Sequence, residues 1–185
     1  MIIAISGDLG SGKSTIAKKL AEELGLPRYY MGSILRKTAK ERGLTIGELM
    51  KEAEGDPSID KDIDDYVKNL PEKEENFVIE SRTAWFLIPN SLKIYLQVSQ
   101  KEAAKRIFKE IKEGNERNEG GLKTFEEVLD SVKNRSLRDR DRYQKYYGVD
   151  ITKEDNYDLV LDTTNLSKKE VYRKVLEFIN KKRKS

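Results

Sequence analysis

Eight consecutive residues near the start of the chain, Gly7-Asp8-Leu9-Gly10-Ser11-Gly12-Lys13-Ser14, fit the spacing G-x-x-x-x-G-K-S/T without a substitution. The chemistry open to such a segment is the binding of polyphosphate. Its three glycines let the backbone curl until successive N–H groups point at one anion. Lys13 reaches the β- and γ-phosphates, and the Ser14 hydroxyl, followed by Thr15, is a ligand for Mg²⁺. This is a nucleoside triphosphate site.

A second group of residues suits the same chemistry. Arg135, Arg138 and Arg142 recur at helical spacing with Asp139 among them, so three guanidinium groups share one helix face. Like charges on one face repel unless an anion or carboxylates sit among them. Two readings are open: a solvated face tied up locally by Asp139 and Asp141, or cations closing on a bound triphosphate. The phosphate-binding segment elsewhere in the chain favours the second. Phosphoryl transfer needs positioning, a metal and positive charge more than covalent chemistry. The chain has no His and no Cys, so carboxylates, hydroxyls, lysines or water must do any acid–base or metal work.

Further candidates lie between these groups. Arg36 and Arg82 stand where they could reach a second, accepting phosphate, or form surface ion pairs. Asp60 and Asp64, four apart, either read a base or sugar edge or lie on an exposed helix face. Glu80 either orders Mg²⁺ through water or holds an arginine. Trp85 and Phe86 read as packing residues before they read as a stacking platform.

The elements that must position these residues follow from the hydrophobic pattern. Ile2-Ile3-Ala4-Ile5 is a strand buried on both faces. A helix from Ser14 to Leu24 stops at Gly25, and residues 27–32 form a short second strand ending at Gly32. Ser33 begins a helix over 34–42, Thr45 and Glu48 make a capping box for the next, and Ser58 starts a third that runs to Leu70. Residues 71–76 are a polar connector. Further strands are expected at 77–80, 92–98 and 157–162. Ser99 with Glu102, Thr124 with Glu127, and Ser167 with Glu170 cap the later helices, and the helix begun at Thr124 ends at Gly148. Residues 114–121 read as a mobile loop, and the basic run 181–184 as a solvated helix end.

Strands alternating with helices predict a three-layer α/β/α fold over 1–185 with a five-stranded parallel sheet. A small helical insert occupies 33–70 and a helical lid 113–142. Ligands in such sheets sit at the carboxyl ends of strands, where Gly7, Gly32, Glu80 with Arg82, Ser99 and Thr163 fall.

Composition bounds the partners. With 36 basic and 33 acidic residues the net charge is only +3, which does not argue for a nucleic-acid surface. No apolar run approaches the roughly 20 residues of a membrane span. A cytoplasmic monomer acting on small nucleotides is expected, with no nucleic-acid or membrane partner.

Taken together, these motifs resemble the cytidylate kinases among the P-loop nucleoside monophosphate kinases. The loop GDLGSGKST and the segment YYMGSILR (29–36) are similar to the family's triphosphate loop and its Gly-x-x-x-Arg segment, and residues 59–64 and VIESR (78–82) resemble its short, archaeal-type branch. Residues 135–142, in the pattern R-x-x-R-D-x-x-R, and LVLDTTNLS (159–167) resemble the bacterial branch. The resemblance implies transfer of the γ-phosphoryl group of ATP to CMP, with dCMP and UMP as further acceptors and Mg²⁺ as cofactor. It implies that Lys13, Arg135, Arg138 and Arg142 surround the transferring group and sugar. Arg106 and Thr164 fall near the adenine. Gly32, Ser33, Arg36, Asp60, Asp64, Arg82 and Asp139 fall on the monophosphate side. Tyr30, Ser33 and Ser81 depart from the family's usual residues, all around the acceptor pocket. Competing functions are an adenylate or other small-molecule kinase of this fold, and a kinase-fold ATPase acting as an assembly factor or switch. No N-K-x-D guanine motif is present.

Overall fold

A computed structural model describes residues 1–114 and 121–184. The expected mobile loop at 114–121 lies mostly outside the described residues. Five strands, β1 (Ile2–Gly7), β2 (Arg28–Tyr30), β3 (Phe77–Glu80), β4 (Leu92–Gln97) and β5 (Leu159–Asp162), form one sheet in the order β2-β3-β1-β4-β5. Every pairing is parallel. β1 is central, and Ile3, Ala4 and Ile5 are fully buried, as an uninterrupted apolar run requires.

Helices cover both faces. On one, α1 (Lys13–Leu24) and α8 (Lys168–Lys184) bring Ile16, Leu20, Val175 and Ile179 onto Ile3, Ile5, Ile94 and Leu96. On the other, Val67 and Leu70 of α4 (Ser58–Lys73) pack on Phe77 and Ile79, with Ala84 of the short α5 (Ala84–Leu87). α2 (Met31–Glu41), α3 (Ile46–Glu52) and the start of α4 enclose a core of their own around Ala39, Leu49, Met50 and Ile59. α6 (Gln100–Lys112) packs against the first half of α7 (Phe125–Tyr147) through Ile107, Val128 and Val132, and Leu9 joins that cluster. Trp85 is core, with Tyr143 and Ile151, whereas Phe86 remains exposed.

Capping boxes form at Thr45/Glu48 and Thr124/Glu127, and the Ser99 hydroxyl accepts from the Glu102 amide. The second and last strands are shorter than expected, and two helix boundaries shift by three residues. α2 begins at Met31, so Gly32 and Ser33 lie in its first turn, where the Ser33 hydroxyl donates to the Tyr30 carbonyl at 2.6 Å. α4 runs through Pro71 to Lys73. That proline forfeits one intrahelical bond near the helix end, and burial of Val67 and Leu70 outweighs the loss.

At the carboxyl end of β1, Gly7 has φ +143°, and a Cβ there would lie 2.2 Å from the Leu96 carbonyl oxygen on β4. Neither the backbone conformation nor the space admits a side chain. Gly7→Ala should lower the melting temperature by roughly 10 °C, measured by calorimetry.

Candidate active site

The loop after β1 is held from behind. The Asp8 carboxylate accepts from the Tyr95 hydroxyl at 2.7 Å and from the Val98 amide at 2.9 Å, and its own amide donates to the Leu96 carbonyl. Burial, with Asp8 beside it, drives the Tyr95 hydroxyl far above its usual pKa, so it stays a donor. Gly10 lies so close to α6 that a Cβ would come within 2.9 Å of Ala103. Gly12, at φ +89°, precedes α1, whose first turn has no side-chain cap. The dipole and uncapped start of that turn suit an anion. Lys13 folds back over the loop, donating to the Gly7 and Asp8 carbonyls at 2.8 and 2.5 Å.

Arg106 fastens this loop to the turn after β5. It donates to the Thr163 carbonyl at 2.7 Å, the Thr163 hydroxyl at 3.2 Å and the Gly10 carbonyl at 3.4 Å, while Glu102 pairs with its Nε at 3.1 Å. Thr163 is fully buried and donates to the Gln97 carbonyl. The Thr164 hydroxyl accepts from the Ser99 amide at 2.9 Å, so this side chain braces the β4–α6 turn.

A cleft of about 700 Å³ opens over the carboxyl ends of the strands. Leu9 to Thr15, Arg106, Gly32, Arg36, Asp60, Asp64, Arg82 and Arg135 all line it, together with Tyr30, Glu80 and Thr83. The loop, the insert and α7 therefore face one hollow. Gly7, Asp8 and Thr164 lie behind it as supports, and Ser33 is spent on Tyr30.

Two arginines expected at the phosphoryl group are elsewhere. Arg142 is 2% exposed, paired through Nε with Asp60 at 2.8 Å and through Nη1 with Asp139 at 3.2 Å; its Nη2 donates to the Tyr143 hydroxyl at 3.3 Å. Arg138 pairs with Glu54 at 3.4 Å. Helical spacing does bring these residues to one side of α7, but that side packs on the insert. Carboxylates remote in sequence, Asp60 and Glu54, neutralise them there. Asp139 also holds Arg82 at 2.5 Å, so Asp60, Arg142, Asp139 and Arg82 form a chain of alternating charge.

Asp60 and Asp64 are buried and are not an exposed face. Asp64 accepts from the Thr83 hydroxyl at 2.9 Å and from the Tyr147 hydroxyl. Burial pushes both carboxyls above their ordinary pKa range. Glu80 is buried and holds Arg28, whose Nε donates to Oε1 at 2.6 Å, whereas Oε2 accepts no hydrogen bond. The supporting tyrosines Tyr95, Tyr143 and Tyr147 are invisible in the sequence as site residues because no local spacing marks them, and Tyr30 enters there only through the resemblance.

The sequence profile of the cytidylate kinase-like family matches residues 2–165. The chain belongs to this family. The cytidylate kinase of Pyrococcus furiosus is 39% identical over 168 residues, 90% of this chain and 82% of that protein. That of Methanocella arvoryzae is 36% identical over 185 residues, the full length of both. A solved shikimate kinase from Bacteroides thetaiotaomicron superposes with a TM-score of 0.65 over 97% of this chain and 98% of its own. At 18% identity that likeness concerns the α/β fold alone. As a cytidylate kinase-like protein, the chain is a nucleoside monophosphate kinase, a phosphotransferase. Among the described residues no helix is long and apolar enough to cross a membrane.

Tyr95→Phe removes one of the two donors to Asp8 and leaves the ring in place. It should raise the KM for ATP by roughly three- to ten-fold, the net worth of one ordinary hydrogen bond, with the KM for CMP unchanged in steady-state assays. Asp64 has a folded pKa above its unfolded one, so the fold binds more protons there. Its stabilising contribution is complete below the ordinary carboxylate range and is lost as pH rises through the folded value. The melting temperature of Asp64→Asn relative to the natural chain should therefore climb as pH rises from about 4, the ordinary carboxylate range. A difference independent of pH would contradict the buried-carboxylate account.

Proposed function

We propose that this kinase transfers the γ-phosphoryl group of ATP to CMP, with dCMP and UMP as secondary acceptors, as a cytoplasmic monomer. The observation that supports the reading is the meeting of two cationic walls in one cleft. The phosphate loop with Lys13 forms one, and Arg36, Arg82 and Arg135 form the other. A cleft facing a single polyphosphate needs only the first. Two anions brought end to end need both, because their repulsion opposes in-line approach.

Mg²⁺ fits this arrangement. Among the described residues no cluster of three acidic side chains offers a protein-made cage. Ser14 lines the cleft next to Lys13, and Glu80 lines it too, with one carboxylate oxygen that accepts no hydrogen bond. A cation that prefers phosphate oxygens, water and one or two protein oxygens suits that set. When bound, it would neutralise charge on the β- and γ-phosphates.

The chain's own residues divide the remaining work. The loop amides and the α1 terminus orient the triphosphate, and Lys13 stabilises charge on the transferring group. Arg36 and Arg82 hold the acceptor phosphate. Arg82 is aimed by Asp139. Residues 113–142 act as the lid, from which Arg135 reaches the cleft, while Arg138 and Arg142 secure α7 to the insert. The acceptor phosphate is anionic at neutral pH, so no general base is required. Asp60 and Asp64, buried at the acceptor end, face the sugar or base.

A steady-state screen of ATP against each nucleoside monophosphate tests the assignment; CMP should be the preferred acceptor, and preference for AMP or transfer to none of them would refute it. Lys13→Ala should lower kcat by roughly 10²- to 10³-fold, as expected when charge stabilisation is lost at the transition state. Arg36→Ala or Arg82→Ala should raise the KM for CMP more than that for ATP, and equal effects on both would contradict the two-wall arrangement.

A further inference from the structure

Arg36 is held by a feature outside the phosphate chemistry. Its guanidinium carbon lies 5.0 Å from the centre of the Tyr30 ring, within the range of a cation–π contact. Tyr30 ends β2 and lines the cleft alongside Arg36. The same ring meets a second guanidinium, that of Arg28, at 5.2 Å, but Arg28 is already neutralised by its ion pair with buried Glu80.

Gly32, between the two partners, is present for space and not for backbone freedom. It lies in the first turn of α2 and is not among the glycines at positive φ. In a helix glycine costs about 1 kcal/mol against alanine, so its presence there needs another cause. A Cβ at residue 32 would fall 2.7 Å from Tyr30 Cε2 and 3.3 Å from Arg36 Nη2. Only a residue without a side chain lets ring and guanidinium lie together over the start of α2.

We infer that Tyr30 and Gly32 are positioning residues that set the aim of Arg36 into the cleft: the ring fixes the guanidinium, and the missing side chain leaves room for the ring. The inference rests on the reading of Arg36 as a holder of the acceptor phosphate. A guanidinium stacked in advance loses less rotamer freedom when the anion arrives, so the effect belongs to acceptor affinity and not to the chemical step.

The test is kinetic, on the full chain with ATP and CMP. Tyr30→Leu should raise the KM for CMP by roughly three- to ten-fold, in line with a partly desolvated cation–π contact, with kcat and the KM for ATP within about two-fold of the natural chain. Tyr30→Phe, which keeps the ring, should restore the KM for CMP. Gly32→Ala, which favours the helix and crowds the ring most and the Arg36 guanidinium less closely, should keep the melting temperature and raise the KM for CMP, and so serves if Tyr30→Leu folds poorly. In an Arg36→Ala background, Tyr30→Leu should have no further effect. Additive losses, an unchanged KM for CMP in Tyr30→Leu or Gly32→Ala, or a Tyr30→Phe variant no better than Tyr30→Leu would each overturn the inference. Should Arg36→Ala itself leave the KM for CMP unaltered, the reading of Arg36 falls and takes the inference with it; a raised KM in Arg36→Ala without one in Tyr30→Leu overturns the inference alone.

Discussion

Four buried or nearly buried charges, in the order Asp60, Arg142, Asp139, Arg82, run from the insert through α7 to the turn after β3. Burying any one alone would be costly, since an ion taken from water loses several kcal/mol of hydration. In sequence, each carries the opposite sign to its neighbours, and the chain sums to zero. The arrangement is therefore collectively tolerable and individually fragile. It sets where α7 lies on α4 and, through Asp139, which way Arg82 points. The proposed acceptor wall of the cleft is thus aimed through Asp139 and Arg142, which do not themselves line it.

The donor wall is built on a different principle. Around the phosphate loop, close backbone approach does what ion pairing does on the other side. Gly7 touches β4, Gly10 touches α6, and Asp8 is fixed by a tyrosine and an amide. Arg106 adds a third attachment through the turn after β5. Amides pinned in this way are organised before any anion arrives, which is the condition under which electrostatic stabilisation is most effective.

What could be read from sequence divides along the same line. The phosphate loop, the capping boxes and the buried run of β1 are local patterns with a single physical solution, so spacing alone revealed them. The strand boundaries near Tyr30 and the passage of α4 through Pro71 depended on packing, which outweighed local preference. Arg138 and Arg142 show the deeper limit. Their periodicity correctly put them on one side of α7, yet nothing local reveals that Glu54 and Asp60, some eighty residues earlier, would be waiting there. Asp64 likewise looks like half of a solvated pair until Thr83 and Tyr147 enclose it.

α7 is one unbroken helix of 23 residues, about 34 Å long at 1.5 Å per residue. Its first half shares a core with Leu9 of the phosphate loop, and its second half is clasped to the insert. A rigid beam resting on both substrate compartments cannot tilt at one end without shifting the other. On the proposed reading, occupancy of either compartment would be felt in its neighbour, and by thermodynamic linkage the favour would be returned in equal measure.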